Sequence, residues 1–115
     1  EFVITQLFFD NRDYFDYVGR LRRRGLNVRV IPGILPITNY EGAVKFCQGC
    51  GASIPETVHQ LFRPIAEVKD HVLRVGTEFT IKQCQELLAQ GAPGIHFYTL
   101  NKLEPVKTIL DAIRS

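Results

Sequence analysis

Residues 2–9 read Phe2-Val3-Ile4-Thr5-Gln6-Leu7-Phe8-Phe9. The run is β-branched and aromatic and almost continuously apolar, the pattern of a strand covered on both faces. A second apolar run follows at Val28 to Leu35, with Pro32 and Pro36 bracketing its end and Gly33 between them. Proline inside a strand marks an edge or a bulge, so this strand is expected to stop near Ile31. Gly94-Ile95-His96-Phe97-Tyr98-Thr99-Leu100 is the third.

Helical periods separate the strands. From Asp13 to Arg24, Tyr14, Val18 and Leu21 form one stripe with Phe15 and Tyr17 beside it. Asp10 and Asn11 can cap this helix, and Gly25 is a natural stop. A second helix is expected over Tyr40 to Cys50, with Ala43, Phe46, Cys47 and Cys50 on its apolar side. Pro55, at an expected first helical position, opens a short helix through Phe62. A long helix is expected from Ala66 to Gln90, with Val68, Val72, Val75, Phe79, Cys84, Leu87 and Leu88 as its stripe and Gly91 and Pro93 as its end. The last carries Val106, Ile109, Leu110 and Ile113 on one face, with Asn101 or Glu104 as cap.

The order β-α-β-α-α-α-β-α implies parallel β-α units. Three parallel strands leave two unpaired edges. A complete eight-stranded β/α barrel takes about 250 residues, and this chain can supply three of its strands. Order and spacing alone reach part of a parallel α/β protein.

Composition narrows the function classes. The chain has 115 residues, 14 Lys plus Arg against 12 Asp plus Glu, 45% hydrophobic residues, three Cys, no Met and no Trp. No apolar run reaches the roughly 18 residues of a membrane span. A net charge of +2 is too small to imply nucleic acid or an anionic membrane as partner. The start at Glu1, with no initiator and a core strand at once, reads as a piece of a longer polypeptide. Three cysteines without a secretion signal fit a reducing cytoplasm.

Ligands of parallel β/α folds sit outside the carboxyl ends of the strands. That selects Gln6 to Asp10, Gly33 to Asn39, and His96 to Lys102. Gln6 shares a strand face with Ile4 and Phe8, and a glutamine in so apolar a run needs partners. Its amide donates and accepts, which suits the edge of a heterocycle; backbone or water can satisfy it equally. His96, Tyr98 and Leu100 share a face. Tyr98 can stack on a planar ligand or be a core aromatic with its hydroxyl at the rim. His96 reads as a structural histidine in the absence of a second ligand. Lys102 can meet a carboxylate or phosphate, or lie in solvent.

Cys47-Gln48-Gly49-Cys50 is a C-x-x-C, but a zinc ribbon needs a second pair and only Cys84 remains. His59 can complete a Cys-Cys-His set, though nothing in the spacing demands it. The pair lies late in a helix rather than at the N-terminus that would activate a thiol, so buried reduced thiols are expected. The Arg20 to Arg24 cluster reads as a solvated cationic helix end. No P-loop or dinucleotide fingerprint is present.

Three segments together go further. Ile4-Thr5-Gln6-Leu7-Phe8-Phe9-Asp10, Ile31-Pro32-Gly33-Ile34-Leu35-Pro36-Ile37 and His96-Phe97-Tyr98-Thr99-Leu100-Asn101 resemble methylenetetrahydrofolate reductase. Their order and spacing fit the last three β-α units of that family's catalytic barrel, strands six to eight. The resemblance makes the expected class α/β, a partial TIM barrel. Gly76-x-Glu78 and Cys84-Gln85-Glu86-Leu87-Leu88 look like its long penultimate helix. The resemblance covers essentially residues 1–115.

It implies a flavoprotein that passes a hydride from NAD(P)H to FAD and on to 5,10-methylenetetrahydrofolate, giving 5-methyltetrahydrofolate. It places at Gln6 the glutamine that reads both substrate and nicotinamide, and at Phe46 an aromatic that packs on the bound ligand. Tyr98 and Leu100 match positions lining the folate pocket. Lys102 stands where the family usually has Arg; the cation is kept and the planar fork lost. The family's acidic activating group and its main FAD contacts belong to the first five units, and neither Asp10 nor Glu104 replaces them. The piece alone is therefore expected to be inactive and to bind FAD poorly. Expected partners are folate and nicotinamide, with no nucleic acid and no membrane, and either a homo-oligomer or the missing N-terminal strands. The alternative is a non-catalytic ligand-binding or self-associating β/α module.

Overall fold

The computed structural model describes residues 1–98 and 104–114. Its elements are β1 (Phe2–Leu7), α1 (Asn11–Arg23), β2 (Arg29–Ile34), α2 (Tyr40–Cys50), α3 (Glu56–Phe62), a 3-10 turn (Arg63–Ile65), α4 (Lys69–Ala89), β3 (His96–Phe97) and α5 (Glu104–Arg114). The three strands form one parallel sheet in the order β1-β2-β3. This is the α/β pattern expected from alternating strands and helices.

β2 does not stop at Ile31. It continues through Pro32 and Gly33 to Ile34. The register explains how. Phe2, Val3 and Ile4 of β1 face Arg29, Val30 and Ile31, but the next partner of Gly33 is Leu7. Three steps along β1 therefore match two along β2, and the extra residue lies opposite Pro32, which has no N–H to offer the ladder. Gly33 recovers a bond there, its N–H donating to the Thr5 hydroxyl at 2.9 Å.

β1 is not covered on both faces along its length. Phe2, Val3 and Ile4 are 58%, 37% and 42% exposed, as an edge strand without a neighbour leaves them. From Leu7 the chain turns inward. Leu7 and Phe9 join a cluster with Leu35, Ile37, Ala43, Cys47, Val58, Phe62 and Val72. Phe8 joins a second cluster with Tyr14, Val30, Ile34, Cys84, Leu87 and Ile109.

The caps follow the sequence. The Asp10 side chain accepts from the Arg12 N–H at 3.0 Å, and α1 stops before Gly25 at φ 78°. The Asn39 side chain accepts from the Gly42 N–H at 2.9 Å, and Gly51 at φ 76° ends α2. Pro55 sits one position earlier than expected, as the cap residue of α3. The long helix starts at Lys69 rather than Ala66, because a 3-10 turn built on Pro64 precedes it. Val68 is consequently outside the stripe and 46% exposed. Thr80 and Gln83, outside the expected stripe, are buried further along the helix.

α4 lies very close to the segment after β2. A Cβ on Gly76 would stand 1.7 Å from the Ile37 carbonyl oxygen, so the contact needs a residue with no side chain. Thr80 donates its hydroxyl to the Gly76 carbonyl at 2.9 Å one turn on. The approach fixes the route of the chain from β2 into α2.

Candidate functional site

At the carboxyl ends of β1 and β3, two of the sequence-selected residues, Gln6 and Tyr98, are tied by hydrogen bonds to neighbouring backbone. Gln6 lies where the β1 register slips. Its side chain is exposed and its amide N–H donates to the Cys50 carbonyl at 2.9 Å. Cys50 ends α2, and Phe46 sits four residues earlier, on the same helical face. Phe46 is half-buried against the cluster around Leu35 and Cys47. The glutamine is thus tied to the helix that carries the aromatic.

Tyr98 enters from the other side. Its hydroxyl donates to the Thr5 carbonyl at 3.1 Å, and its backbone N–H donates to the Ile34 carbonyl at 2.8 Å. Its ring meets His96 edge-on, with centroids 4.9 Å apart. Gly33 makes room for it: a Cβ there would stand 2.6 Å from both the Thr5 carbonyl oxygen and Tyr98 Cε2. Thr5 holds Tyr98, and the next residue holds α2. Leu100 and Lys102, like the cap position Asn101, lie outside the described residues.

Phe46 and Tyr98 are both half-buried aromatics. With one amide N–H committed to Cys50, the Gln6 side chain keeps its second N–H and its carbonyl oxygen for a further partner. Asp10, at the end of β1, is a helix cap and ion-pair partner. It meets Arg12 at 2.7 Å, and the guanidinium hydrogen bond holds its carboxyl below the usual range.

The cysteines divide. Cys47 and Cys84 are buried, and burial pushes their thiols up, to about 11 and about 12. Cys50 is exposed, which corrects the expectation of a buried pair: three residues on from Cys47, it falls at the edge of the helix's inner face. His59 does not join them. Its Nδ1 is hydrogen-bonded to the Tyr40 hydroxyl, and no group of three metal-ligating side chains occurs among the described residues. Arg20, Arg22, Arg23 and Arg24 are exposed, as a solvated helix end should be. No described helix is long and apolar enough to cross a membrane.

Sequence reasoning missed Gly76 and Gln83 as determinants of this end of the sheet. Gly76 had been noted only as part of a motif. Gln83 falls outside the apolar stripe read from the period of this helix, and only the packing of α4 against Phe8 reveals its burial; its amide donates to the Phe8 carbonyl at 3.0 Å.

The family model described as methylenetetrahydrofolate reductase matches residues 1–114. A probable methylenetetrahydrofolate reductase (NADPH) of Caenorhabditis elegans is 37% identical over 113 residues, covering 97% of this chain and 17% of that protein. Methylenetetrahydrofolate reductase (NADH) 1 of Arabidopsis thaliana is 34% identical, covering 88% and 17%. The 5,10-methylenetetrahydrofolate reductase of Escherichia coli is 35% identical, covering 89% and 34%. The chain thus spans about a sixth to a third of the length of these curated relatives.

Proposed function

The chain belongs to the methylenetetrahydrofolate reductase family, and we propose that it is the C-terminal portion, strands six to eight, of that family's catalytic barrel. The parent enzyme reduces 5,10-methylenetetrahydrofolate to 5-methyltetrahydrofolate and oxidises NAD(P)H to NAD(P)⁺. One hydride goes to the methylene carbon and one proton is taken up as its bond to nitrogen opens. FAD, when bound, supplies the two-electron carrier between the two substrates. The full chain is completed by the preceding barrel strands and works in the cytoplasm.

The observation that carries this reading is the tie between Gln6 and α2. It supports a site at the carboxyl ends of a parallel sheet where one amide serves two planar substrates in turn. The half-buried faces of Phe46 and Tyr98 fit a flat heterocycle of pterin, nicotinamide or flavin type. Gln6 orients the ring through its side-chain carbonyl, Phe46 covers a face, and Tyr98, with Leu100 and Lys102, lines the folate end. These side chains position and shield; they transfer no proton. The pyrophosphate of FAD needs groups beyond this trio, so the 115-residue piece alone is read as inactive and weak in flavin binding. Retention of stoichiometric FAD by the piece, with bleaching by NAD(P)H, would overturn that.

The test of the site is Gln6→Leu in the intact polypeptide. A lost orienting hydrogen bond of about 0.5–1.5 kcal/mol lowers kcat/KM roughly 2- to 12-fold. Both half-reactions, with NAD(P)H and with folate, should fall. Loss of one alone refutes the shared role. The exposed Phe2, Val3 and Ile4 edge favours a second reading, a self-associating module. Light scattering of the piece separates the two, since a cooperative, monodisperse monomer excludes self-completion.

A further inference from the structure

Two residues of β1, Thr5 and Gln6, stand opposite the single residue Pro32 of β2. Such a bulge interrupts the ladder and leaves backbone groups to be met from elsewhere. Thr5 meets them. Its hydroxyl accepts from the Gly33 N–H at 2.9 Å and donates to the Gln6 backbone carbonyl at 2.9 Å. A hydroxyl can do both at once, having one donor and two acceptor lone pairs. The Thr5 carbonyl in turn accepts from the Tyr98 hydroxyl at 3.1 Å.

These bonds lie directly behind the two residues that tie the site together. The next residue along, Gln6, donates its amide to the Cys50 carbonyl at 2.9 Å. Tyr98 packs into the space that Gly33 leaves by having no Cβ, since one would stand 2.6 Å from its Cε2 and from the Thr5 carbonyl oxygen alike. Thr5 therefore sets Gly33 against Tyr98 and Gln6 against α2 together. A methyl in place of the hydroxyl could not hold this arrangement. It accepts no N–H, and carbon contacts settle at about 3.5–4.0 Å, so Gly33 would have to retreat.

We propose that Thr5 is a positioning residue for the reduction: its hydroxyl pins the bulge in one register, so that the Gln6 amide and the Tyr98 ring are presented to the planar substrates together. This rests on the reading of Gln6 and Tyr98 as substrate contacts, and Thr5 acts only through them. The two half-reactions then respond differently to its loss. The nicotinamide step depends on Gln6; the folate step depends on Gln6 and Tyr98.

The test compares Thr5→Val, Thr5→Ser, Gln6→Leu and the double variant of Thr5→Val with Gln6→Leu in the intact enzyme, each half-reaction followed separately. Thr5→Val should lower the second-order rate constant of both about 2- to 12-fold, and Thr5→Ser, which keeps the hydroxyl, should stay within about twofold of the parent. In the nicotinamide step the double variant should match Gln6→Leu, because both changes remove one function. In the folate step it should fall below Gln6→Leu, through Tyr98. Crystals of Thr5→Val should show the Gln6 amide off the Cys50 carbonyl. If Thr5→Val does not fold, Thr5→Ala takes its place, removing the hydroxyl without setting a methyl against Gly33. Additive losses in the nicotinamide step, no rescue by serine, or an unmoved Gln6 overturn the proposal. Parent rates for Thr5→Val beside an impaired Gln6→Leu overturn the proposal alone; parent rates for Gln6→Leu overturn the reading of the site beneath it.

Discussion

Replacing Gly76 by alanine sets two effects of opposite sign against each other. In a helix interior the change gains up to about 1 kcal/mol of propensity. Here the new methyl would stand 1.7 Å from the Ile37 carbonyl oxygen, 2.8 Å from its carbon and 3.3 Å from the Ile37 Cβ. An ordinary carbon–oxygen contact is about 3.3 Å, so helix and carbonyl must part by roughly 1.6 Å. Neither side can yield cheaply. Ile37 and Leu35 are each 1% exposed, and Val72, one turn before Gly76, is 2% exposed. Overpacking of this kind costs about 1–3 kcal/mol, and more when backbone must move. The clash wins, and a net loss of about 2 kcal/mol is expected. Gly49→Ala is the control, since a Cβ there, in the last turn of α2, meets nothing within 4 Å; it should stabilise by at most about 0.5–1 kcal/mol, the mid-helix value. Urea unfolding of the intact polypeptide, read by circular dichroism, measures both. Gly76→Ala at or above the stability of the parent would refute the close approach, whatever the control does.

Gly33→Ala places a methyl 2.6 Å from Tyr98 Cε2; it should displace that ring and raise the folate KM more than it lowers kcat, in steady-state kinetics of the intact enzyme. Tyr14→Phe removes the buried hydroxyl that donates to the Val30 carbonyl at 2.6 Å, at a cost of about 1 kcal/mol in the same urea assay. A thiol reagent under native conditions should modify Cys50 quickly and spare Cys47 and Cys84, whose thiols are buried. Those two have raised values in the fold, to about 11 and about 12. Their contribution is therefore complete below the unfolded thiol value of about 8.5 and is lost as pH rises toward 11 and 12. An urea midpoint unchanged between pH 8 and pH 11 would contradict this.

Much of the architecture was legible because it is written in local chemistry. Tyr40 to Cys50 needed only its 3.6 period. The stripes of Tyr14, Val18 and Leu21 and of Val72 and Leu87 needed only spacing. What failed needed a neighbour. Pro32 looked like a strand end because the extra residue that accommodates it is on another strand. Val68 looked like core because nothing local announces that Pro64 tightens the preceding turn. The burial of Gln83 depends on where α4 crosses Phe8. The candidate site divided in the same way. The residue types at Gln6, Phe46 and Tyr98 pointed to a planar ligand, but the Cys50 carbonyl that orients Gln6 is a backbone group, which no side-chain pattern advertises.

The extra residue in β1 also sets the phase of everything downstream of it. Leu7 and Phe9 go into the cluster under α2 and α3, while Phe8, between them, goes into the cluster under α1, α4 and α5. A strand alternates, so removing one residue at Thr5 or Gln6 would send each of these three side chains to the opposite layer. Small pockets would meet large rings, and the amide now at the slip would be drawn back into the ladder, away from α2. The irregularity therefore acts as a frame mark: one position decides both which aromatic fills which half of the interior and whether a glutamine is free to leave the sheet.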